Sequence, residues 1–228
     1  MQDRQSLGLF FRDLLASIDR LGLRAQVLLQ VSPDTALLMQ SPPPIFSWLD
    51  ARHIDEVQKA VGKIAGEEAL VELGLSAGRG LGMSVAQPLL RAAFHLFGKS
   101  PVAILFDLDR FFSLVTRGIS FAYFAGDEEA GAVEASFVGK DVSEAAFHVL
   151  RGSLQFVFEV AGAKGLVGRP EILEQGPLGS RVRFQLAWGK RAEPQRPTAA
   201  PTELPPGPAD SSTRSHRHLH ASVFQRET

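Results

Sequence analysis

The clearest pattern along the chain is an alternation of apolar and polar positions between residues 118 and 188. Large apolar side chains fall at every second position in 119–123, and the pattern resumes at Val133, Ala135 and Phe137 after a glycine-bounded turn at 126–131. A period of two around such a turn predicts a half-buried β-hairpin. The segment 182–188 alternates in the same way and predicts the last strand.

The period changes to that of a helix between these two strand regions. Asp141 is placed to cap the helix, and Glu144 follows three residues later, as in a capping box. The polar residues lie opposite the apolar ones, so we predict that this helix, over 141–163, packs on the sheet and faces water behind it. The apolar stripe consists of Phe147, Leu150, Leu154, Val157 and Ala161.

The first half of the chain is mostly helical in its pattern. The spacing of apolar residues from Leu7 to Leu21 predicts a first helix that ends at Gly22. Residues 24–31 alternate weakly and predict a short strand, and the glycines of 78–82 predict a flexible link between helices. Further helices are predicted over 54–64, 67–75, 84–98 and 101–115. The fold class is therefore α+β, with N-terminal helices followed by a β-β-α-β-β antiparallel sheet unit.

The composition changes abruptly after residue 188. Six prolines lie between Pro194 and Pro208, and few apolar residues follow. Such a segment buries too little apolar surface to offset its chain entropy. We therefore predict a single α+β ligand-binding-like domain over 1–188 and a disordered, proline-rich tail over 189–228, whose role as a tether or as a segment that binds a protein partner stays open.

Composition also excludes several classes of function. The formal net charge is −1, whereas a nucleic-acid-binding protein needs a strongly basic face. There is no cysteine, which removes disulfides and thiolate chemistry. The N-terminus lacks the apolar region of a signal peptide, and no apolar stretch reaches the roughly 18 residues of a membrane span. These features predict a soluble cytoplasmic protein without nucleic-acid partners.

Two aspartates resemble catalytic metal ligands. Asp107 and Asp109 follow an apolar run, as in haloacid-dehalogenase phosphatases and diguanylate cyclases. In those enzymes the two carboxylates converge on Mg²⁺ from the end of a strand. Here the segment is predicted to be a helix, on which residues two apart point roughly 200° from each other. We therefore predict no catalytic residues, no metal site and no enzyme activity.

Several short motifs give the chain a family resemblance. They are Gly-Lys-Ser-Pro at 98–101, Arg117-Gly118, Gly152, Gly162-Ala163 and the closing Phe-x-Leu-x-Trp at 184–188. Over residues 40–188 the chain resembles a paralogous family of myxobacterial proteins of unknown function. More distantly it resembles the superfamily of haem-nitric-oxide sensors, 4-vinyl-reductase-type domains and TRAPP subunits. That resemblance implies a ligand pocket between the helices and the sheet, and it implies a homodimer.

The resemblance also implies a test for haem. The haem sensors use a helical histidine and a later Tyr-x-Ser-x-Arg strand that holds the haem propionates. His95 is the matching histidine and Tyr123 the matching tyrosine, but Ala125 and Asp127 stand at the serine and arginine positions. We therefore predict no resident cofactor, and haem ligated by His95 is the alternative.

The favoured function is a non-catalytic sensor or adaptor domain with a small apolar ligand in its pocket. The predicted lining consists of Phe94, Phe97, Phe112, Phe121, Tyr123, Phe147, Leu150 and Phe184. Aromatic residues at these spacings are also typical of an ordinary core. The alternative function is therefore a homodimerisation scaffold without a ligand, and a haem gas sensor or a Mg²⁺-dependent phosphatase ranks below it.

Overall fold

The chain has an α+β fold, as the sequence predicts. The computed structural model describes residues 4–84, 87, 94–95, 100–126, 129–140 and 142–189. The helices are α1 (Gly8–Arg20), α2 (Arg24–Leu28), α3 (Pro33–Gln40), α4 (Ala51–Ser84), α5 (Pro101–Phe106), α6 (Leu108–Ser113) and α7 (Glu144–Ala161). The strands are β1 (Gln5–Leu7), β2 (Trp48–Asp50), β3 (Thr116–Arg117), β4 (Ile119–Ala125), β5 (Ala130–Val138), β6 (Lys164–Val167), β7 (Glu171–Gly176) and β8 (Gly179–Gly189).

The main sheet is antiparallel, with the order β4-β5-β8-β6 and with β7 also paired to β8. The predicted hairpin is confirmed, with Ile119 opposite Phe137 and Ala125 opposite Gly131. Strands β6 and β7 pair with successive parts of β8, because Pro170 interrupts them and has no N–H for a ladder. The strand predicted after the long helix is therefore divided into two.

Helix α7 lies between the main sheet and α4. Its predicted stripe is buried on the sheet side, but the opposite side packs on α4 instead of facing water. A Cβ atom on Gly152 would lie 1.9 Å from the Val71 carbonyl oxygen, and one on Gly74 would lie 1.8 Å from that of Val149. The prediction that this side of α7 faces water is wrong, because these glycines allow the backbones of α4 and α7 to approach each other closely.

The start of α7 also differs from the prediction. Ser143 is the residue that precedes the first turn, and its side chain makes no capping hydrogen bond. Asp141, the predicted cap, lies outside the described residues. The end of the helix follows a common rule, since Gly162 adopts the left-handed conformation with a φ of 69°.

Helix α4 joins two predicted helices across a kink. At Gly66 φ is 79°, so the backbone turns between the predicted segments 54–64 and 67–75. The helix then continues to Ser84, and the flexible link predicted over 78–82 is wrong. Gly78 is used for close packing, because its Cβ would lie 3.0 Å from Phe156 Cβ. Arg79 donates two hydrogen bonds to Glu159 of α7, at 2.9 and 2.6 Å.

Two shorter predictions also change. Residues 24–31 contain α2 and no strand, and Val27 is the fully buried side chain of that helix. The prediction of a strand is wrong because weak alternation over so short a segment does not distinguish a helix from a strand. The helix predicted from Pro101 is divided at Asp107 into α5 and α6. Its start is confirmed, since Ser100 Oγ accepts a hydrogen bond from Val102 N at 3.2 Å.

A small second sheet, with the order β2-β1-β3, joins three distant parts of the chain. Strand β1 lies in the middle, with Ser6 opposite both Leu49 and Thr116. Arg117 of β3 reaches across to Trp48 of β2, with its guanidinium 3.8 Å from the ring centroid. This sheet was not predicted, and it holds residues 4–6 against the first turns of α4.

Two further predictions concern the ends and the environment of the chain. Among the described residues, no helix is both long and apolar enough to cross a membrane. Of the tail predicted over 189–228, Gly189 is the last residue of β8 and residues 190–228 lie outside the described part.

Candidate ligand-binding site

A cavity of about 60 Å³ lies where α7, the main sheet and the small sheet meet. It is bounded by the first turns of α4 on one side and by the end of α6 on the other. Its apolar lining includes Phe10, Ile54, Phe112, Ile119, Phe137 and Leu150. The cavity therefore lies between helices and sheet, but its wall includes β1 and the first turns of α4 in addition to the elements from which the sequence predicts a pocket.

The predicted pocket residues are brought together only in part. Phe112 and Leu150 line the cavity. Phe147 and Phe184 are fully buried in the core between α7 and the main sheet. The ring of Phe121 packs on Phe112, with centroids 4.5 Å apart.

The remaining predicted residues lie at the margin of the same core or beyond the described part. Tyr123 makes an edge contact with Phe106 at 5.1 Å, and Phe94 is half-buried against the core. Phe97 lies outside the described residues. The described members therefore belong to one apolar core cluster or pack against it, and of these Phe112 and Leu150 also line the cavity.

The polar side of the cavity is an ion pair that the sequence analysis missed. Arg4 and Asp55 both line the cavity, and their side chains are only 9% and 12% exposed. Arg4 Nη1 donates to Asp55 Oδ1 at 3.4 Å, and Nη2 donates to Oδ2. Burial raises the pKa of Asp55, and the positive charge of Arg4 only partly opposes this effect.

Beside the ion pair lies Gln58, an amide with an unused acceptor. Its side chain lines the cavity and the residue is only 4% exposed. None of the described residues donates a hydrogen bond to its Oε1. The sequence holds a signal for this residue, because Gln58 comes four residues after the buried Ile54 and so lies on the same face of α4.

The described residues do not fit a haem in this cavity. A volume of about 60 Å³ is far below the roughly 300–1,000 Å³ of pockets for drug-sized ligands, and haem is at least that large. His95 is helical and exposed, and the side chain of Ala125 offers no hydrogen bond to a propionate. Within the described ranges, no group of three histidine, aspartate or glutamate side chains could hold a metal ion.

A second polar group of buried residues joins α3 to α4. His53 is 6% exposed, and its Nδ1 lies 2.7 Å from Thr35 Oγ1. The Thr35 hydroxyl lies 3.0 Å from Ser32 Oγ, which donates to Glu56 Oε2 at 2.6 Å. Arg52 Nε donates to His53 Nε2 at 3.4 Å. Because Nε2 accepts, Nδ1 carries the proton and donates to Thr35, so the network requires a neutral histidine.

This network predicts a pH dependence of stability. Burial, followed by the charge of Arg52, lowers the pKa of His53, so the folded protein binds this proton less readily than the unfolded chain. The free energy of unfolding should therefore fall as pH drops through about 6.5, and level off below the folded pKa. Urea titrations between pH 7.5 and 5 would measure this slope.

The variants for this test are His53→Gln and His95→Gln. The first should flatten the slope, whereas the second, at an exposed histidine, should retain it. An unchanged slope in His53→Gln would assign the pH dependence to another group.

Solved structures of H-NOX proteins share this fold. The Fe(II) unliganded H-NOX protein from K. algicida is 11% identical and superposes with a TM-score of 0.60 over 82% of this chain and 98% of that chain. An oxygen-binding H-NOX domain related to soluble guanylate cyclases, solved as its oxygen complex, is 13% identical, with a TM-score of 0.54 over 79% and 94%. A Cs H-NOX mutant with 4-cyano-L-phenylalanine at site 5 is 12% identical, with a TM-score of 0.58 over 82% and 98%.

These comparisons establish the fold class. No family model matches the chain, and no curated protein matches it. The predicted α+β class is confirmed, and so is the distant resemblance to the haem-nitric-oxide sensors at the level of the fold. At 11–13% identity the likeness extends to the fold alone.

Proposed function

We propose that the chain is a non-catalytic sensor or adaptor domain that binds one small molecule in the cavity between α7 and the two sheets. The observation that carries this proposal is the combination of apolar walls with a buried, unpaired amide oxygen on Gln58. A surplus core cavity is ordinarily apolar throughout, whereas ligand sites combine apolar walls with a few placed polar groups. The likeness to an oxygen-binding H-NOX domain supports a sensor with a small ligand.

The arrangement of Asp107 and Asp109 gives no support to an enzyme. Asp109 Oδ1 accepts a hydrogen bond from the backbone N–H of Phe121 at 2.9 Å, so this carboxylate attaches α6 to the edge strand β4. Asp107 lies at the junction of α5 and α6. The two carboxylates thus have separate positions in the fold, and a sensor domain accounts better for the site than a phosphatase does.

Two other functions compete with this proposal. Haem ligated by His95 is supported by the likeness to H-NOX proteins and opposed by Ala125, which stands where the haem sensors have the propionate-binding serine. A homodimerisation scaffold without ligand is the other alternative. The chain's resemblance to the myxobacterial paralogous family does not favour one of these three functions, because that family has no known function.

The test is native mass spectrometry of the full-length chain as isolated, with a UV–visible spectrum of the same sample. We expect a non-covalent adduct of small mass and no Soret band. A Soret band that is absent in His95→Ala would replace the proposal with a haem sensor. If the protein has its bare mass and xenon does not enter the cavity in solution, the sensor proposal is wrong and the scaffold function remains. A dimer mass would then support the scaffold function.

A further inference from the structure

We propose that the cavity selects an uncharged, hydroxyl-bearing molecule of about three to five heavy atoms, which donates its hydrogen bond to Gln58 Oε1. This inference rests on the proposed function and adds the chemical class of the ligand. In this proposal Gln58 recognises the hydroxyl group of the ligand, and the ion pair beside it disfavours charged ligands.

The first step is the unpaired acceptor. Gln58 is only 4% exposed, and none of the described residues donates a hydrogen bond to its Oε1. A buried acceptor without a partner loses its hydrogen bond to water and gains nothing in return. A ligand in the cavity can restore that bond only if it carries a donor, as a hydroxyl group does.

The second step concerns charge. Arg4 and Asp55 line the cavity from its buried side, and each neutralises the other through paired hydrogen bonds. Arg117 also lines the cavity, but it is exposed, and its guanidinium stacks on Trp48 and donates to Gln5 Oε1. A charged ligand would have to leave water without a free countercharge from this pair, which is unfavourable in a buried site. The pair thus selects against ammonium and carboxylate groups.

The third step concerns size and shape. A volume of about 60 Å³ corresponds to about four to six water-sized positions. Phe112, Phe137 and Leu150 supply an apolar wall, and the hydroxyls of Thr116 and Ser153, which also line the cavity, donate to the backbone carbonyls of Phe112 and Gly74. A short hydrocarbon chain would bury its surface against the apolar wall, where water gains no hydrogen bond. A molecule with a hydroxyl group at one end and two to four carbons at the other would match the Gln58 acceptor on one side and the apolar wall on the other.

The experiment uses three probes of nearly equal size on the full-length chain. These are propan-1-ol, propionate and propylammonium, titrated separately and followed by amide chemical shifts in NMR. Saturable shifts are expected at cavity residues such as Ile119 and Leu150 with propan-1-ol, and at least tenfold weaker binding is expected for the two ions. Equal binding of an ion would overturn the argument from charge.

Two variants test the role of Gln58. Gln58→Leu keeps the approximate size and removes the acceptor, and propan-1-ol should then bind at least tenfold more weakly. Because the acceptor is unpaired without ligand, this variant should also melt no lower than the wild type. Gln26→Leu, the same substitution at an exposed residue of α2, should leave propan-1-ol binding unchanged.

Xenon separates failure of this inference from failure of the proposed function. Xenon enters cavities irrespective of hydrogen bonding, and its shifts should fall on the same residues. If xenon binds but propan-1-ol does not, or if Gln58→Leu binds propan-1-ol as well as the wild type does, the ligand class is wrong and the binding cavity remains. If neither probe enters, both proposals fail. A lower melting temperature of Gln58→Leu with no alcohol binding would assign the Gln58 acceptor to an ordered water instead.

Discussion

Gly74→Ala is expected to lower the free energy of unfolding by about 3 kcal/mol or more. The new Cβ atom would lie 1.8 Å from the Val149 carbonyl oxygen, so α4 and α7 would have to separate. Overpacking a core typically costs about 1–3 kcal/mol, and here the obstacle is backbone that cannot rotate away. Gly152→Ala should have a similar effect, because its Cβ would meet the Val71 carbonyl oxygen at 1.9 Å. Urea unfolding followed by far-UV circular dichroism measures both.

The matched control is Gly62→Ala on the same helix. There the nearest atom to the new Cβ is the Leu70 Cδ1 methyl at 3.1 Å, which a small rotation of that side chain can move. Alanine is favoured over glycine within a helix by about 1 kcal/mol, so this variant should lie within about 1 kcal/mol of the wild type. If Gly74→Ala behaves like Gly62→Ala, the close approach of the two helices is wrong.

Arg4→Met is expected to destabilise the protein by about 3–5 kcal/mol at pH 7. Removing one partner of a buried ion pair leaves the other charge uncompensated, and here that charge is the carboxylate of Asp55. Burial already raises the pKa of Asp55 above its ordinary 3.8, so the folded state binds this proton more tightly than the unfolded chain. Stability therefore falls as pH rises through the folded pKa. Without Arg4 that pKa rises further, so the loss caused by the substitution should be greatest near neutral pH and smaller near pH 4.

Two variants show whether burial is the cause. Arg24→Met removes the partner of Asp19 in a pair that is 29% and 50% exposed, and it should cost no more than about 1 kcal/mol. The double variant with Arg4→Met and Asp55→Leu removes both buried charges and should recover much of the lost stability. A loss in Arg4→Met that is independent of pH, or that the double variant does not relieve, would show that Arg4 acts by packing alone.

The sequence predicts those parts of the fold whose patterns are local. The hairpin of β4 and β5 and the sheet-facing stripe of α7 follow from periods of two and 3.6 residues, and both are present. The water-facing side of α7 was mispredicted because Gly152 carries no hydropathy signal for a helix that packs on it. The Val71 carbonyl that Gly152 approaches is 81 residues away in sequence, and periodicity within one helix does not report such a contact.

In the candidate site, too, the sequence predicts the residues with a local pattern and does not predict those placed by distant contacts. Aromatic residues near the cavity, such as Phe112 and Phe121, were found because apolar residues reveal their burial by spacing. Arg4, Asp55 and Gln58 were missed because polar residues are exposed in most positions, and sequence alone does not show that they are buried. Arg4 reaches the cavity only because β1 pairs with two strands distant in sequence, and nothing in residues 4–7 indicates those partners.

The position of β1 also has a consequence for how the protein folds and how its cavity opens. Its partners lie around residues 49 and 116, so the small sheet closes long chain loops and should form late in folding. The strand has only three residues, and its end is held by the hydrogen bond from Leu7 N to Val115 O at 2.8 Å. Short elements of this kind open locally at a lower free energy than the core around them, which hydrogen exchange of their amides reports. Transient release of β1 would thus give a molecule from solvent a path past Ser6 while the core between α7 and the main sheet stays folded.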